Sequence, residues 1–182
     1  QGVSSAASDV YKRQVYIHGL NSSANSTKFK IILKNYPSAI CIEWKTEENI
    51  ATILFEAYEH LKGLVNDLTI IGSSTGGNFG WQLQQKLKGN GKSSELILLN
   101  PLVDVSMKVE NNFPENLSQY LVDMNRFENT TVFLSVHDEV LDFEKLKTFF
   151  EIQQNIFPQQ IEIIEIDDNH RIRNFESLLT LI

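Results

Sequence analysis

The sequence predicts an α/β protein with a doubly wound, mostly parallel sheet of about six strands and helices on both faces. Short runs rich in Ile, Leu and Val alternate with longer segments of helical period. Runs that are apolar on both faces are typical of parallel strands covered by helices on each side. The alternation implies right-handed crossovers, and such sheets bind ligands beyond the carboxyl ends of their strands.

The candidate strands and helices follow one another along most of the chain. The strands are residues 15–18, 39–44, 68–72, 95–100, 131–136 and 161–166. The helical stripes cover residues 29–36, 50–64, 78–89, 143–150 and 175–179. Pro37 and Gly89 are typical stops for the first and third of these helices.

Length and composition indicate one ordinary globular domain. A chain of 182 residues, 42% hydrophobic and 21% charged, can bury one core but is short for two domains. Its net charge of -7 offers no basic surface for nucleic acid or for an anionic membrane, and no apolar run is long enough to cross a membrane. We therefore expect a soluble single domain over residues 15–182, with neither nucleic acid nor membrane as a partner.

The first residues differ in character from the rest of the chain. The stretch "SSAASDVYKRQ", residues 4–14, resembles the in-frame translation of a transposon-end adapter used in DNA sequencing libraries. Such a sequence scar is excluded from fold reasoning. We interpret residues 1–14 as a non-native leader that precedes the domain.

The single cysteine, Cys41, excludes an internal disulfide and a cysteine-rich zinc site. Its position within "AICIEW" predicts a buried strand residue. Sparse cysteine suits a reducing compartment, so we expect a cytoplasmic protein.

The stretch "IGSSTGGN", residues 71–78, follows the third apolar run and contains Gly72-x-Ser74-x-Gly76. This is the pattern of a nucleophile elbow, in which a strand turns so sharply into a helix that only glycines fit beside the serine. Gly72 and Gly76 would shape that turn. The same residues also suit an ordinary loop, so the motif needs partner residues.

A nucleophilic Ser74 needs a base, and the base needs an acid that holds its tautomer. On this architecture the acid and then the histidine follow the serine in chain order. His170 alone leaves room for an acid in between. His60 lies inside a helical stripe, His18 precedes the serine, and His137 lies directly beside the candidate acid.

The predicted acid is Asp138, which comes immediately after the fifth strand. Asp142 lies four residues farther on, where an acidic side chain favours a helix N-terminus. Two plainer interpretations stay open, in which Asp138 is a turn aspartate and His170 is a solvated loop residue. Asp167 and Asp168 receive no catalytic role.

An oxyanion hole requires preorganised backbone N–H donors. The residue after the nucleophile, Thr75, supplies one donor, and the loop after an early strand supplies the other. The segment "IHGLNSS" fits this second requirement, with Gly19 allowing close approach and Leu20 donating its N–H. His18 would then orient the loop and carry no proton.

Five segments in chain order, "HGLNSSANSTK", "IGSSTGG", "LLNPLV", "DEVLDF" and "NHRIRNFE", resemble the YqiA-like esterases. These are small bacterial members of the α/β-hydrolase superfamily, and the resemblance runs from Tyr16 nearly to Ile182. It implies a minimal α/β-hydrolase fold without the large cap of lipases. It also implies ester hydrolysis with Ser74 as nucleophile, Asp138 as acid and His170 as base.

The chain departs from this family at four positions near the proposed site. Thr75 stands where the family usually has Leu, and His137 stands where a glycine precedes the acid. Asp168 and Asn169 replace two glycines before His170. We expect Thr75 to keep its backbone donor, because that donor does not depend on the side chain.

The segment 101–129 interrupts the strand and helix rhythm with Pro114, several asparagines and a modest helical stripe at 117–124. It shares little with the family. Two interpretations stay open for it, a small lid or substrate wall and an irregular loop with one surface helix. The size of the substrate therefore stays open as well.

The residues together predict a serine esterase acting on a small-molecule ester or acyl substrate, without metal or organic cofactor. An acyltransferase or thioesterase could use the same three residues, and a non-catalytic binding protein could keep the scaffold. A nucleotide-binding protein is disfavoured, because the glycine spacing does not give G-x-G-x-x-G and no P-loop lysine follows. Oligomeric state and natural substrate are left open.

Overall fold

The computed structural model describes residues 12–64 and 67–181. One sheet of six parallel strands runs through it, in the order β2-β1-β3-β4-β5-β6. The strands are β1 (Lys12–Ile17), β2 (Ile40–Ile42), β3 (Asp67–Ser73), β4 (Ser94–Leu99), β5 (Thr130–His137) and β6 (Ile161–Asn169). The predicted fold class is confirmed, and each predicted strand has its counterpart.

Helices cover both faces of the sheet. They are α1 (Thr27–Asn35), α2 (Ile50–Lys62), α3 (Thr75–Gly89), α4 (Glu115–Ser118), α5 (Phe143–Ile156) and α6 (Phe175–Leu178). The core on one face contains buried side chains of α2, α3 and α5, and the core on the other face contains those of α1 and α6. Within the described residues, none of these helices has the length and apolarity required to span a membrane.

Side chains of successive strand residues enter opposite cores, as the pleat requires. In β1, Val15 and Ile17 belong to one core while Tyr16 belongs to the other. In β4, Leu98 belongs to the same core as Val15, and Leu99 belongs to the same core as Tyr16. Because both faces are buried, these strands have no polar side, which explains their continuous apolar runs.

The chain reverses direction across the sheet between β1 and β3. It runs from β1 to the edge strand β2 and then returns past β1 to β3. Ile17 at the end of β1 pairs with Gly72, and Ser73 at the end of β3 pairs with Leu99. The carboxyl ends of the central strands are therefore level at the switch point, where open α/β sheets bind ligands.

Strand β1 begins earlier than the sequence indicates. The backbone of residues 12–14 continues the parallel ladder opposite Asp67, Leu68 and Thr69. The ladder uses backbone groups, so polar side chains do not prevent the extension. Residues 1–11 lie outside the described residues, and the interpretation of residues 1–14 as a non-native leader stays a prediction.

The segment 101–129 packs against α3. It contains a 3-10 turn (Val105–Met107) and the short helix α4, which Pro114 precedes. The Asn78 side chain exchanges two hydrogen bonds with the Val122 backbone, at 3.0 and 3.2 Å. Leu117 and Phe127 are fully buried in the core on that face. The segment is thus fixed to the body of the protein over much of its length.

Cys41 lies in β2 and is half-buried, less covered than the sequence predicts, because β2 is the edge strand of the sheet. Burial, helped by the nearby Glu43 carboxylate, raises the pKa of its thiol to about 12. The side chain is therefore a neutral thiol at physiological pH.

We expect Gln14→Leu to stabilise the protein. Gln14 is buried, and its amide oxygen accepts no hydrogen bond within the described part of the chain. An unpaired buried polar atom costs about 1 to 3 kcal/mol, so an apolar side chain of similar size should raise the free energy of unfolding by about 1 kcal/mol. Denaturant titration measures this change. Gln159→Leu, at an exposed position, is the control and should change stability little.

Candidate active site

Ser74 occupies a strained backbone position between β3 and α3. Its φ is 53° and its ψ is -123°, a region that residues with a side chain rarely adopt. The Ser74 N–H donates to the Leu99 carbonyl at 2.9 Å. The Ser74 carbonyl accepts from Gly77 at 2.8 Å and from Leu102 at 3.0 Å. These backbone bonds hold the strained turn.

The turn fits only because glycines lie where backbones nearly touch. A Cβ on Gly76 would lie 2.3 Å from the Ile17 carbonyl oxygen and 2.4 Å from that of His18. A Cβ on Gly72 would lie 2.5 Å from the Gly76 carbonyl oxygen. The first turn of α3 thus rests directly on the end of β1, and this contact brings the loop after β1 beside Ser74.

The structure brings Ser74, Asp138 and His170 together. His170 Nε2 lies 3.0 Å from the Ser74 hydroxyl oxygen, and His170 Nδ1 lies 2.7 Å from Asp138 Oδ2. Since a carboxylate only accepts, Nδ1 carries a proton and Nε2 of the neutral ring accepts from the serine hydroxyl. The Asp138 side chain is 1% exposed and that of His170 is 14% exposed, so the line of contacts is largely shielded from water.

Asp138 serves two groups at once, because its carboxylate oxygens face different partners. Oδ1 accepts hydrogen bonds from the N–H groups of Val140 and Leu141, both at 2.8 Å. Oδ2 faces the imidazole. The aspartate therefore holds its own turn and also contacts His170. Asp142 instead caps α5, where its side chain accepts from the Lys145 N–H at 3.1 Å. This agrees with the predicted position of Asp142 at the start of a helix.

Asn100 supports the histidine and was not assigned a role from the sequence. Its side-chain amide donates to the His170 carbonyl at 3.1 Å and to the Ser135 hydroxyl at 2.8 Å, while its side-chain oxygen accepts from the Ser135 N–H at 2.8 Å. Glu139 Oε2 also accepts from the His170 N–H at 3.1 Å. The available signal was a polar residue between the apolar run 96–99 and Pro101, within the "LLNPLV" segment.

The two predicted backbone donors lie at the edge of the elbow. Thr75 is the first residue of α3, so its N–H has no acceptor within the helix. Leu20 follows Gly19, where an added Cβ would lie 3.1 Å from Ser74 Cβ. Within the described residues, the Leu20 N–H donates to no backbone carbonyl. Neither N–H is thus committed to a backbone acceptor in the described part of the chain.

His18 is buried and neutral, and it belongs to the framework of the loop after β1. Its Nδ1 donates to the Gly19 carbonyl at 2.8 Å, and its Nε2 accepts from the Trp44 N–H at 3.2 Å. The ring stacks on Trp44 with centroids 5.2 Å apart. Burial lowers the pKa of His18, which favours this neutral form. Both ring nitrogens are engaged away from Ser74.

The other candidates lie outside this arrangement. His60 is an exposed residue in the last turn of α2. His137 is exposed and lies 3.0 Å from Asp167. Among the described residues, His137, Asp168 and Asn169 are not found at positive φ, so their backbone conformations do not require the glycines that the YqiA-like esterases carry there.

A cleft of about 810 Å³ opens above Ser74 and His170. Its walls come from the start of α1, from the segment 101–129 and from the loops after β1, β5 and β6. Leu102, Phe113, Val140 and Leu141 give it an apolar side. Its size suits a small organic molecule. In the described part of the chain, no group of three or more His, Cys, Asp or Glu side chains could hold a metal ion.

The comparisons with known proteins agree with this fold. The sequence profile of a family described as "Uncharacterised protein family (UPF0227)" matches residues 13–182. No curated protein sequence gives a significant match.

Several solved structures share the architecture at low sequence identity. A provisionally assigned hydrolase from Agrobacterium vitis S4 has a TM-score of 0.67 and 14% identity, covering 95% of this chain and 88% of that chain. Esterase 2 of Thermogutta terrifontis, phosphorylated by paraoxon, has a TM-score of 0.61 and 14% identity, covering 93% of this chain and 80% of that chain. The RedJ thioesterase from Streptomyces coelicolor has a TM-score of 0.64 and 10% identity, covering 100% of this chain and 91% of that chain. The fold is thus that of α/β hydrolases.

We expect Gly76→Ala to destabilise the protein strongly. The added methyl group would meet two backbone carbonyls that cannot move without separating α3 from β1, so the free energy of unfolding should fall by about 3 kcal/mol. Gly89→Ala is the matched control in the same helix, where nothing lies within 4 Å of the added Cβ. It should raise stability by about 0.5 to 1 kcal/mol. Equal effects in thermal or chemical unfolding would contradict this packing.

Proposed function

Since the chain belongs to the uncharacterised protein family UPF0227, we propose from the site itself that the protein is a serine hydrolase that cleaves carboxylic esters. One observation carries the proposal. The hydrogen-bonded line from Asp138 through His170 to Ser74 ends at a serine on a strained elbow, at the floor of a cleft. A hydroxyl beside a neutral imidazole that is oriented by a carboxylate is the arrangement that activates serine for acyl transfer.

In the first half of the reaction, Ser74 Oγ attacks the ester carbonyl carbon while His170 Nε2 takes the hydroxyl proton. The imidazole becomes an imidazolium, and the Asp138 carboxylate stabilises it without itself becoming protonated. The tetrahedral intermediate then expels the alcohol, to which His170 returns the proton. This leaves an acyl group on Ser74.

In the second half, water replaces the alcohol. His170 removes a proton from the water molecule as its oxygen attacks the acyl carbonyl, and the proton returns to Ser74 Oγ as the acyl bond breaks. The products are a carboxylic acid and the restored hydroxyl. Apart from the substrate and water, the proton transfers in this scheme use only groups of the chain.

The negative charge of the tetrahedral intermediate falls on the former carbonyl oxygen. We assign the N–H groups of Leu20 and Thr75 as its hydrogen-bond donors, because both flank Ser74 and neither is committed to a backbone acceptor. The N-terminal dipole of α3 adds favourable potential at the same point. Removal of one such donor in other serine hydrolases costs about 3 to 4 kcal/mol of transition-state stabilisation.

We expect Ser74→Ala to lower the turnover of a short p-nitrophenyl ester by about 10³-fold or more, since the nucleophile is lost. A fluorophosphonate should label Ser74, and mass spectrometry of the labelled peptide would locate the adduct. The neighbouring Ser73 is buried, so it should stay unlabelled. Ser106→Ala, at an exposed position, is the control.

Unimpaired hydrolysis by the Ser74→Ala protein, or an adduct on Ser73, would end the proposal. Product analysis with added alcohols or amines as acceptors distinguishes hydrolysis from acyl transfer. A folded protein that neither labels nor turns over would indicate a binding protein on a hydrolase scaffold.

The role of Asp138 has its own test, because a matched aspartate lies four residues away. Asp138→Asn should lower kcat about 10² to 10⁴-fold, since an amide can donate to Nδ1 and so favour the wrong tautomer of His170. Asp142→Asn should leave kcat near the wild-type value, because asparagine caps a helix as well as aspartate does. Equal kcat values for the two variants would contradict the assignment of Asp138.

A further inference from the structure

The cleft carries a charge opposite to that of the whole chain. The protein has 23 Asp and Glu against 16 Lys and Arg. Four cationic side chains nevertheless line the cleft, and its lining contains no Asp or Glu among the described residues. The cations are Lys28, Lys108, Arg171 and Arg173. Four of the 16 basic side chains of an acidic chain therefore surround the proposed reaction centre.

These four cations come from separate parts of the fold. Lys28 lies in the first turn of α1, and Lys108 lies in the segment 101–129, where its backbone pairs with Leu141. Arg171 and Arg173 follow His170 directly in the chain. Like charges gathered from three elements around a concave site reinforce one another, because the surrounding protein focuses their field into the cleft.

Lys28 is half-buried, as is Lys108, whereas both arginines are exposed. No described carboxylate lies within ion-pair distance of the Lys28 ammonium group. Burial lowers its pKa to about 8; Asp168 opposes this shift and Arg171 adds to it. A confined ammonium without a close counter-ion is costly unless an anion joins it.

The nearby carboxylates are already engaged by backbone donors. Asp168 accepts from the N–H groups of Asn169 at 2.8 Å and Asn174 at 3.0 Å. Glu139 accepts from the His170 N–H. Neither residue lines the cleft. Asp168 also interacts with the charge of Arg173, but the Lys and Arg side chains of the cleft walls face no Asp or Glu in the lining among the described residues.

We propose that the substrate of this site is an ester that carries an anionic oxygen group, a carboxylate or a phosphate, and that Lys28 is the principal residue that selects it. This inference rests on the proposed ester hydrolysis. In it, Lys28 and the two arginines bind the anionic group while Ser74 attacks the ester carbonyl. Neutral esters of equal size would lack this interaction.

The test compares mono-p-nitrophenyl glutarate, which carries a carboxylate, with p-nitrophenyl valerate, which has the same acyl length and no charge. The measured quantity is the ratio of the two kcat/KM values. We expect a ratio of about 10 for the wild type and about 2 for Lys28→Met, from the loss of one close charge interaction. Lys30→Met removes the same charge from an exposed position of the same helix and should leave the ratio unchanged.

Two further measurements keep the test independent of how well Lys28→Met folds. The wild-type ratio should fall as NaCl rises from about 20 to about 500 mM, because salt screens the cations. Arg171→Gln, at an exposed residue, should also lower the ratio. A wild-type ratio near 1, or equal ratios for Lys28→Met and Lys30→Met, would overturn the inference.

Inhibition of neutral-ester hydrolysis identifies the preferred anion. Stronger competition by glutarate supports a carboxylate, and stronger competition by inorganic phosphate supports a phosphate; competition by neither overturns the inference. If hydrolysis depends on Ser74 but shows no charge preference, only the inference about the substrate fails. If hydrolysis survives Ser74→Ala, the proposed function fails instead.

Discussion

The conformation of Ser74 is the constraint on which the rest of the site depends. A serine at a φ of 53° is unfavourable on its own, and it persists because Leu99, Gly77 and Leu102 fix its backbone on both sides. The same turn requires Gly76 to rest on the carbonyls at the end of β1. This one contact between α3 and the end of β1 thus positions the helix, the loop after β1 and the serine side chain.

The register of the sheet brings the remaining residues to that turn. His137 at the end of β5 pairs with Asn169 at the end of β6, so the loops that follow these two strands leave the sheet side by side. Asp138 and His170, far apart in the chain, are each the next residue after that pair. Parallel strands that end level therefore align side chains that no local sequence pattern connects.

The sequence predicted what depends on local chemistry and chain order. Strands could be found because burial on both faces leaves continuous apolar runs, and the resemblance to YqiA-like proteins is confirmed by the family match. The apolar stripe of α3 was visible only from residue 78, because the first turn is mostly glycine, whereas the helix start at Thr75 followed from the elbow pattern. The role of Asn100 was not predicted, because it consists entirely of tertiary hydrogen bonds. The packing of the segment 101–129 was not predicted for the same reason.

The position of Asn100 links the histidine to the interior of the sheet. One amide joins the end of β4 to Ser135 in β5 and to the main chain of His170 beyond the edge strand β6. Any fraying of β6 from β5 would therefore displace the imidazole while the other five strands stay paired. Heat or denaturant should therefore abolish the proposed hydrolysis before the bulk secondary structure is lost. Loss of that activity would then indicate local unfolding at the β6 edge of the sheet.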